Sequence, residues 1–188
     1  MAAWKGIVGK GYSRDSFGDY VKSLTFNQWR PSFVVLHNTA APTFAQWHDV
    51  PGAQRMANLE SYYRDTQHWS AGPHLFVADD LVWVFTPLTV PGVHSPSWNS
   101  VAWGVELVGD YSKEQMNPDL LANAVSAIAT LHGALGLDPS TLKLHREDPL
   151  TTHICPGNAI SKASFISQVT AKLTSNFPGE HPDMRVTA

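Results

Sequence analysis

Val101-Ala102-Trp103-Gly104-Val105-Glu106-Leu107-Val108 is the stretch that decides the fold. Side chains on an extended strand alternate between its two faces. Val101, Trp103, Val105 and Leu107 therefore share one bulky apolar face, which is expected to pack in a core. Ala102, Gly104, Glu106 and Val108 share the other. On that second face Glu106 stands among small neighbours, so room is left beside its carboxylate.

Around this strand the chain repeats the same kind of signal. Phe33-Val34-Val35-Leu36 is a continuous apolar run rich in β-branched residues, which predicts a buried strand ending at His37. Leu142–Leu144 predicts a short strand that delivers His145. His74–Ala78 and Leu81–Phe85 flank Asp79-Asp80 and predict a β-hairpin.

Helices are expected between these strands. Ser13 caps a short helix running to Val21, and Met56, Leu59 and Tyr63 mark one face of a helix over Ala53–Tyr63. Asn117-Pro118-Asp119 supplies an N-cap, a proline at the first helical position and an acid in the first turn. Leu120, Leu121, Ala124, Val125, Ile128 and Leu131 then form a stripe that Gly133 or Gly136 should end. Phe165, Ile166, Val169 and Leu173 mark a last helix. Pro87–Asn99, with three prolines and a glycine, is expected to be irregular and exposed.

Strands interspersed among helices predict one α/β domain, a central mixed sheet flanked by helices. An N-terminal helical segment (about 1–30), a core (about 31–175) and a polar tail (176–188) are expected, without a second module.

Composition narrows the function. With 188 residues, 43% hydrophobic and 15% charged, the chain can build one ordinary core. A net charge of −3 gives no electrostatic footprint for nucleic acid, and no basic run points to a stable membrane association. No apolar run approaches the roughly 18 residues of a membrane span. The N-terminus lacks an uninterrupted apolar stretch of the secretory kind. A cytoplasmic product that acts elsewhere after release is therefore expected. A lone cysteine excludes an intrachain disulfide.

That cysteine, Cys155, precedes a Pro156-Gly157 turn that fixes its direction. Taken singly, His37 and His145 could be satisfied polar residues and Cys155 a small buried hydrophobe. Jointly, two strand-end imidazoles and a thiol form a three-ligand set for one Zn2+, with a coordination position open for water. Glu106 is then the candidate base.

The segments Leu36-His37-Asn38-Thr39-Ala40, Gly104-Val105-Glu106-Leu107-Val108-Gly109, His145-Arg146-Glu147-Asp148 and Thr152-His153-Ile154-Cys155-Pro156-Gly157 occur in this order. In this the chain resembles the zinc-dependent N-acetylmuramoyl-L-alanine amidases that share a fold with peptidoglycan recognition proteins, closest to phage endolysins. The resemblance spans about residues 30–175. It implies that His37, His145 and Cys155 hold zinc and that Glu106 acts with the metal's water. It implies that His153 stands where catalytic members often carry Lys, and that His94 and Asn99 line the substrate groove. Arg146, after the second histidine ligand, has a supporting place. Phage members often carry Tyr just before the position of His74, where this chain has Pro73.

Other readings stay open at this level. Glu106 could pair with Arg146, and His153 could replace Cys155 as third ligand. His94 and His74 could orient the ligands from behind. Trp69 and Trp98 could line a groove for sugar or peptide, or pack in the core. His48, His68, His132 and His181 have no expected role. The resemblance implies a monomeric hydrolase that cuts the amide between N-acetylmuramic acid and L-alanine, with peptidoglycan or muropeptide as its partner and no separate wall-binding domain. The alternatives are a cytoplasmic muropeptide-recycling amidase and a non-catalytic peptidoglycan-binding protein.

Overall fold

The structure, a computed structural model, describes residues 3–176. The expected polar tail and His181 lie outside the described residues, apart from the end of the last helix. Six strands form one mixed sheet in the order β1-β4-β3-β5-β2-β6. They are β1 (Lys10–Tyr12), β2 (Phe33–Asn38), β3 (Leu75–Val77), β4 (Val82–Val84), β5 (Ala102–Leu107) and β6 (Lys143–Leu144). Strands β3, β5, β2 and β6 run parallel to one another, whereas β4 is antiparallel to β3 and to the edge strand β1.

The α/β expectation is therefore met, with two differences. The N-terminal segment is not purely helical, because Lys10–Tyr12 pairs with β4 as an edge strand. Three residues are too few to show an alternation, so the sequence carried no signal for it. The Pro87–Asn99 loop is irregular but not exposed. Leu88, His94 and Ser95 are buried, and Leu88 O accepts from Trp103 Nε1 at 2.9 Å.

The strand alternation holds at β5. Trp103, Val105 and Leu107 are fully buried, beside Val34 and Leu36 of β2 in register. They share one core with Leu120, Ala124, Ile128 and Leu131. Those residues belong to α4 (Pro118–Leu135), which Asn117 caps by accepting from Asp119 N and Leu120 N. Gly136, in the left-handed region, ends the helix. Val101 departs from the expected core face; it precedes β5 and is 39% exposed. Helix α1 (Arg14–Lys22), capped by Ser13, and α5 (Lys162–Asn176) pack against α4. A short α2 (Phe44–Trp47) and α3 (Gly52–Ser61) complete the helices, and α3 runs into a π-turn over Tyr62–Thr66. No helix among the described residues is long and apolar enough to cross a membrane.

The opposite face of the sheet carries the polar groups. Register sets His37 beside Glu106, and Glu106 beside Phe76. Because Leu36 pairs with Leu144, the end of β6 brings His145 next to His37. Gly104 leaves space on this face: a Cβ there would lie 2.4 Å from Cγ of the buried His94. Gly104→Ala is thus expected to lower stability by roughly 1–3 kcal/mol through overpacking. A melting temperature equal to that of the parent protein would refute the close approach.

Candidate metal centre

Three ligand-type groups converge where β2 and β6 end. One ligand atom from each of His37, His145 and Cys155 lies within 4.8 Å of the other two. The His37 and His145 ring centroids are 4.4 Å apart, and Cys155 Sγ is 3.9 Å from His37 Nδ1. Two ligands on one tetrahedral zinc keep N and S about 3.6 Å apart, given the usual bond lengths. The donor set fits such an ion. So does His145 Nε2, which is buried with no hydrogen-bond partner.

Cys155 is placed by its turn. Arg146 N donates to Cys155 O (2.8 Å), and the Arg146 guanidinium donates to Gly157 O (2.8 Å) and Ile160 O (3.1 Å). Arg146 therefore staples the turn and does not pair with Glu106. Gly157 takes a positive φ, and a Cβ there would strike the Tyr111 backbone. Asn38 N donates to Cys155 Sγ (3.3 Å). Burial, aided by the nearby Glu106 carboxylate, pushes the thiol's pKa up. A nucleophilic cysteine needs the opposite shift, so a thiol-nucleophile reading is disfavoured. A divalent cation would reverse the shift by binding the thiolate.

Glu106 lies on the floor of an open cleft of about 590 Å³ whose lining includes all three ligand-type residues. Its Oε2 is shut off from solvent and unpartnered, and burial raises its pKa to about 8. His153 is exposed at the cleft wall, its ring 6.0 Å from that of His145. Cys155, not His153, joins the two histidines. Trp69 also lines the cleft, 37% exposed and stacked on Tyr63 at 5.2 Å.

Three of the expected groove residues take other places. His74 is fully buried under Trp29, its ring stacked at 5.3 Å, and both ring nitrogens meet backbone: Gly104 N donates to Nδ1 (3.0 Å) and Nε2 faces Val90 O (3.0 Å). Asn99 Oδ1 accepts from His94 N (2.7 Å) and Ser95 N (2.8 Å), so it shapes the loop. Trp98 packs edge-on against Phe33. None of the three is in the cleft lining, whereas His94 is. His94 is buried, its Nδ1 3.1 Å from His37 Nε2 and its Nε2 3.1 Å from Ala102 O. Burial holds its pKa down to about 4 and also pulls that of His37 down. Of the histidines without an expected role, His48 meets Asp79 at the surface and His132 is buried in α4.

Two residues escaped the sequence reading. Asp148 is buried and accepts from Ser95 Oγ, Ser97 Oγ, Ser97 N and Leu150 N, tying the 94–99 loop to the turn after His145. Tyr63 lines the cleft close enough to Glu106 and Cys155 for both to raise its pKa, after burial, well above its ordinary value. It continues the Met56–Leu59 stripe past the end of α3, a stripe legible in the sequence only as core. A phenol thus reaches the cleft although Pro73 stands before His74.

The site is thus a cleft at the ends of parallel strands in an α/β domain, lined by three metal-ligand-type side chains. The chain belongs to the N-acetylmuramoyl-L-alanine amidase family (Amidase_2), whose profile matches residues 27–158. Among solved structures, a Drosophila peptidoglycan recognition protein LB variant in complex with tracheal cytotoxin is similar at a TM-score of 0.63, with 22% identity over 74% of this chain and 82% of that one. The endolysin N-acetylmuramoyl-L-alanine amidase LysCS from Clostridium intestinale aligns with a TM-score of 0.61 and 21% identity over 76% and 85%. Wild-type Drosophila PGRP-LB gives 0.61 and 21% over 88% and 91%. At these identities the likeness establishes the fold. No curated protein matches the chain.

The Glu106 shift sets a test that needs no metal. Folded protein holds a proton that unfolded chain has released between about pH 4.5 and 8, so this carboxyl withdraws stability as pH rises through that window. In metal-free protein, Glu106→Gln should gain in melting temperature over the parent at pH 8 relative to pH 5. A difference that does not vary with pH would show that Glu106 is not buried in this way.

Proposed function

We propose that the chain is a zinc-dependent peptidoglycan amidase of endolysin type, which cuts the amide between N-acetylmuramic acid and the L-alanine of the stem peptide. The observation that carries this reading is the meeting of His37, His145 and Cys155 within 4.8 Å, in the cleft that Glu106 floors. Family membership names the bond class. It does not separate a catalyst from the non-catalytic recognition proteins of the same fold; the His37, His145 and Cys155 set supports the catalyst.

His37, His145 and Cys155 would hold the ion. When bound, zinc supplies Lewis acidity and brings the pKa of water from 15.7 to about 7. Glu106 takes the proton of the attacking water and passes it to the leaving amine. Its unpartnered Oε2 is free to do so, and a cation nearby favours its ionised form. His153, in the cleft wall, donates to the oxyanion of the tetrahedral intermediate; one such donor is worth about 3–4 kcal/mol. Trp69 and His94 shape the cleft for substrate, and Arg146 keeps the cysteine turn in place.

The domain acts as a monomer. It is made in the host cytoplasm and acts on the wall after release.

Mass spectrometry of purified sacculi incubated with zinc-loaded protein should show free stem peptides with an L-alanine amino terminus. Stoichiometric zinc with bound but uncut muropeptide would leave a binding protein instead. Glu106→Gln should retain zinc and lose turnover by about 10²–10⁴-fold; a rate near that of the parent would remove Glu106 from the reaction. A chelator should lower the melting temperature of the parent protein, because metal binding is coupled to folding. Cys155→Ser should already melt lower and respond little to chelator, and an undiminished response would overturn the ligand assignment.

A further inference from the structure

Three buried histidines stand side by side under the sheet, and their ring nitrogens meet a series of fixed partners. His74, His94 and His37 form a row, with ring centroids 5.7 Å apart for the first pair and 5.1 Å for the second. Both flanking contacts of His94 are short: Nε2 to Ala102 O, and Nδ1 to His37 Nε2, each 3.1 Å. A backbone carbonyl can only accept. His94 Nε2 must therefore carry a hydrogen.

A buried ring flanked by two other imidazoles is neutral, so His94 Nδ1 has a lone pair and no proton. His37 Nε2 must then be the donor of the 3.1 Å contact. That leaves His37 Nδ1 bare, and it is this nitrogen that faces Cys155 Sγ at 3.9 Å. One carbonyl thus determines, through two rings, which nitrogen of His37 offers its lone pair.

We infer that His94 is a positioning residue that locks the tautomer of His37, so that Nδ1 is presented to the metal before any ion arrives. The inference rests on the zinc reading above for its purpose, though not for its geometry. Free histidine divides itself between two tautomers and rotates; here both freedoms are removed by backbone. Ala102 begins β5, which pairs with β2, so the carbonyl and His37 are held by one parallel ladder. Gly104 gives the His94 ring its bed on β5. Asn99 Oδ1 fixes His94 N and Ser95 N, and Asp148 anchors Ser95, so the loop that supplies His94 is pinned at both ends. His74 is held in the same Nε2–H form by Gly104 N and Val90 O and serves as the packed wall behind His94.

This assigns His94 a place behind the ligand and not primarily on the substrate. The carboxylate or carbonyl that commonly orients a metal-bound histidine is replaced by an imidazole, which relays the orientation one ring further.

Long-range ¹H–¹⁵N correlation on metal-free, full-length protein reads the tautomers directly. His37 and His94 should both appear as neutral Nε2–H forms. Either ring in the Nδ1–H form, or a charged His94 at neutral pH, would overturn the lock. His94→Phe keeps a ring in the site but removes the acceptor. It should release His37 into a mixture of tautomers and weaken zinc binding by about 10–100-fold, with a fall in kcat larger than any change in KM. His94→Gln, which restores an acceptor, should recover part of the zinc affinity. Unchanged His37 signals and zinc affinity in His94→Phe would overturn the inference, and the spectrum of the parent protein decides it if that variant fails to fold. A protein with the Nε2–H pattern and tight zinc, yet no release of stem peptide, would uphold the lock and count only against the amidase reading.

Discussion

The parallel pairing of β2 with β5 and β6 is the constraint on which the site depends. In a parallel sheet, strand ends of like sense lie at the same edge, and ligands gather outside the carboxyl ends. Here the register sets His37 opposite Glu106 and sets Leu36 opposite Leu144, so that His145 follows beside His37. A slip of one residue in either pair would turn one of these side chains to the other face, into a core already filled by Trp103, Val105 and Leu107. The apolar face thus enforces the geometry of the polar one.

Around that edge the chain uses small, specific fastenings. The Arg146 guanidinium grips the backbone beyond Cys155, Asp148 gathers the 94–99 loop, and Asn99 caps the segment that presents His94. None of these three touches the cleft chemistry. Each holds something that does. Two polar groups of the site are left without hydrogen-bond partners: His145 Nε2 and Glu106 Oε2 are buried and unpaired. Such groups cost free energy unless something arrives to satisfy them, and a cation with its water would satisfy both.

Much of this was legible in the sequence, because strand periodicity and chemistry coincide. The β-branched run at 33–36 and the alternation at 101–108 located two central strands and showed that Glu106 faces away from the core. The Asn117-Pro118-Asp119 cap located α4. The grouping of His37, His145 and Cys155 followed from their strand ends and the Pro156-Gly157 turn. What was not legible depends on distance in sequence. Residue spacing does not reveal that His74 and Asn99 serve the backbone and not the cleft, nor that Trp98 turns to Phe33. Tyr63 read as one more apolar helix position, and only the packing of α3 and its π-turn brings its phenol to the cleft. The 87–99 loop read as exposed because prolines and polar residues mark turns; its burial comes from covering Trp103 and the histidine row.

The central claim is an open metal site made of two imidazoles and one thiolate. X-ray absorption on protein loaded with one equivalent of zinc reads this directly. The account predicts one sulfur near 2.3 Å and light N/O neighbours near 2.0–2.1 Å, four ligands in all with one supplied by solvent. A zinc environment without sulfur, or one closed by four protein ligands, would contradict it.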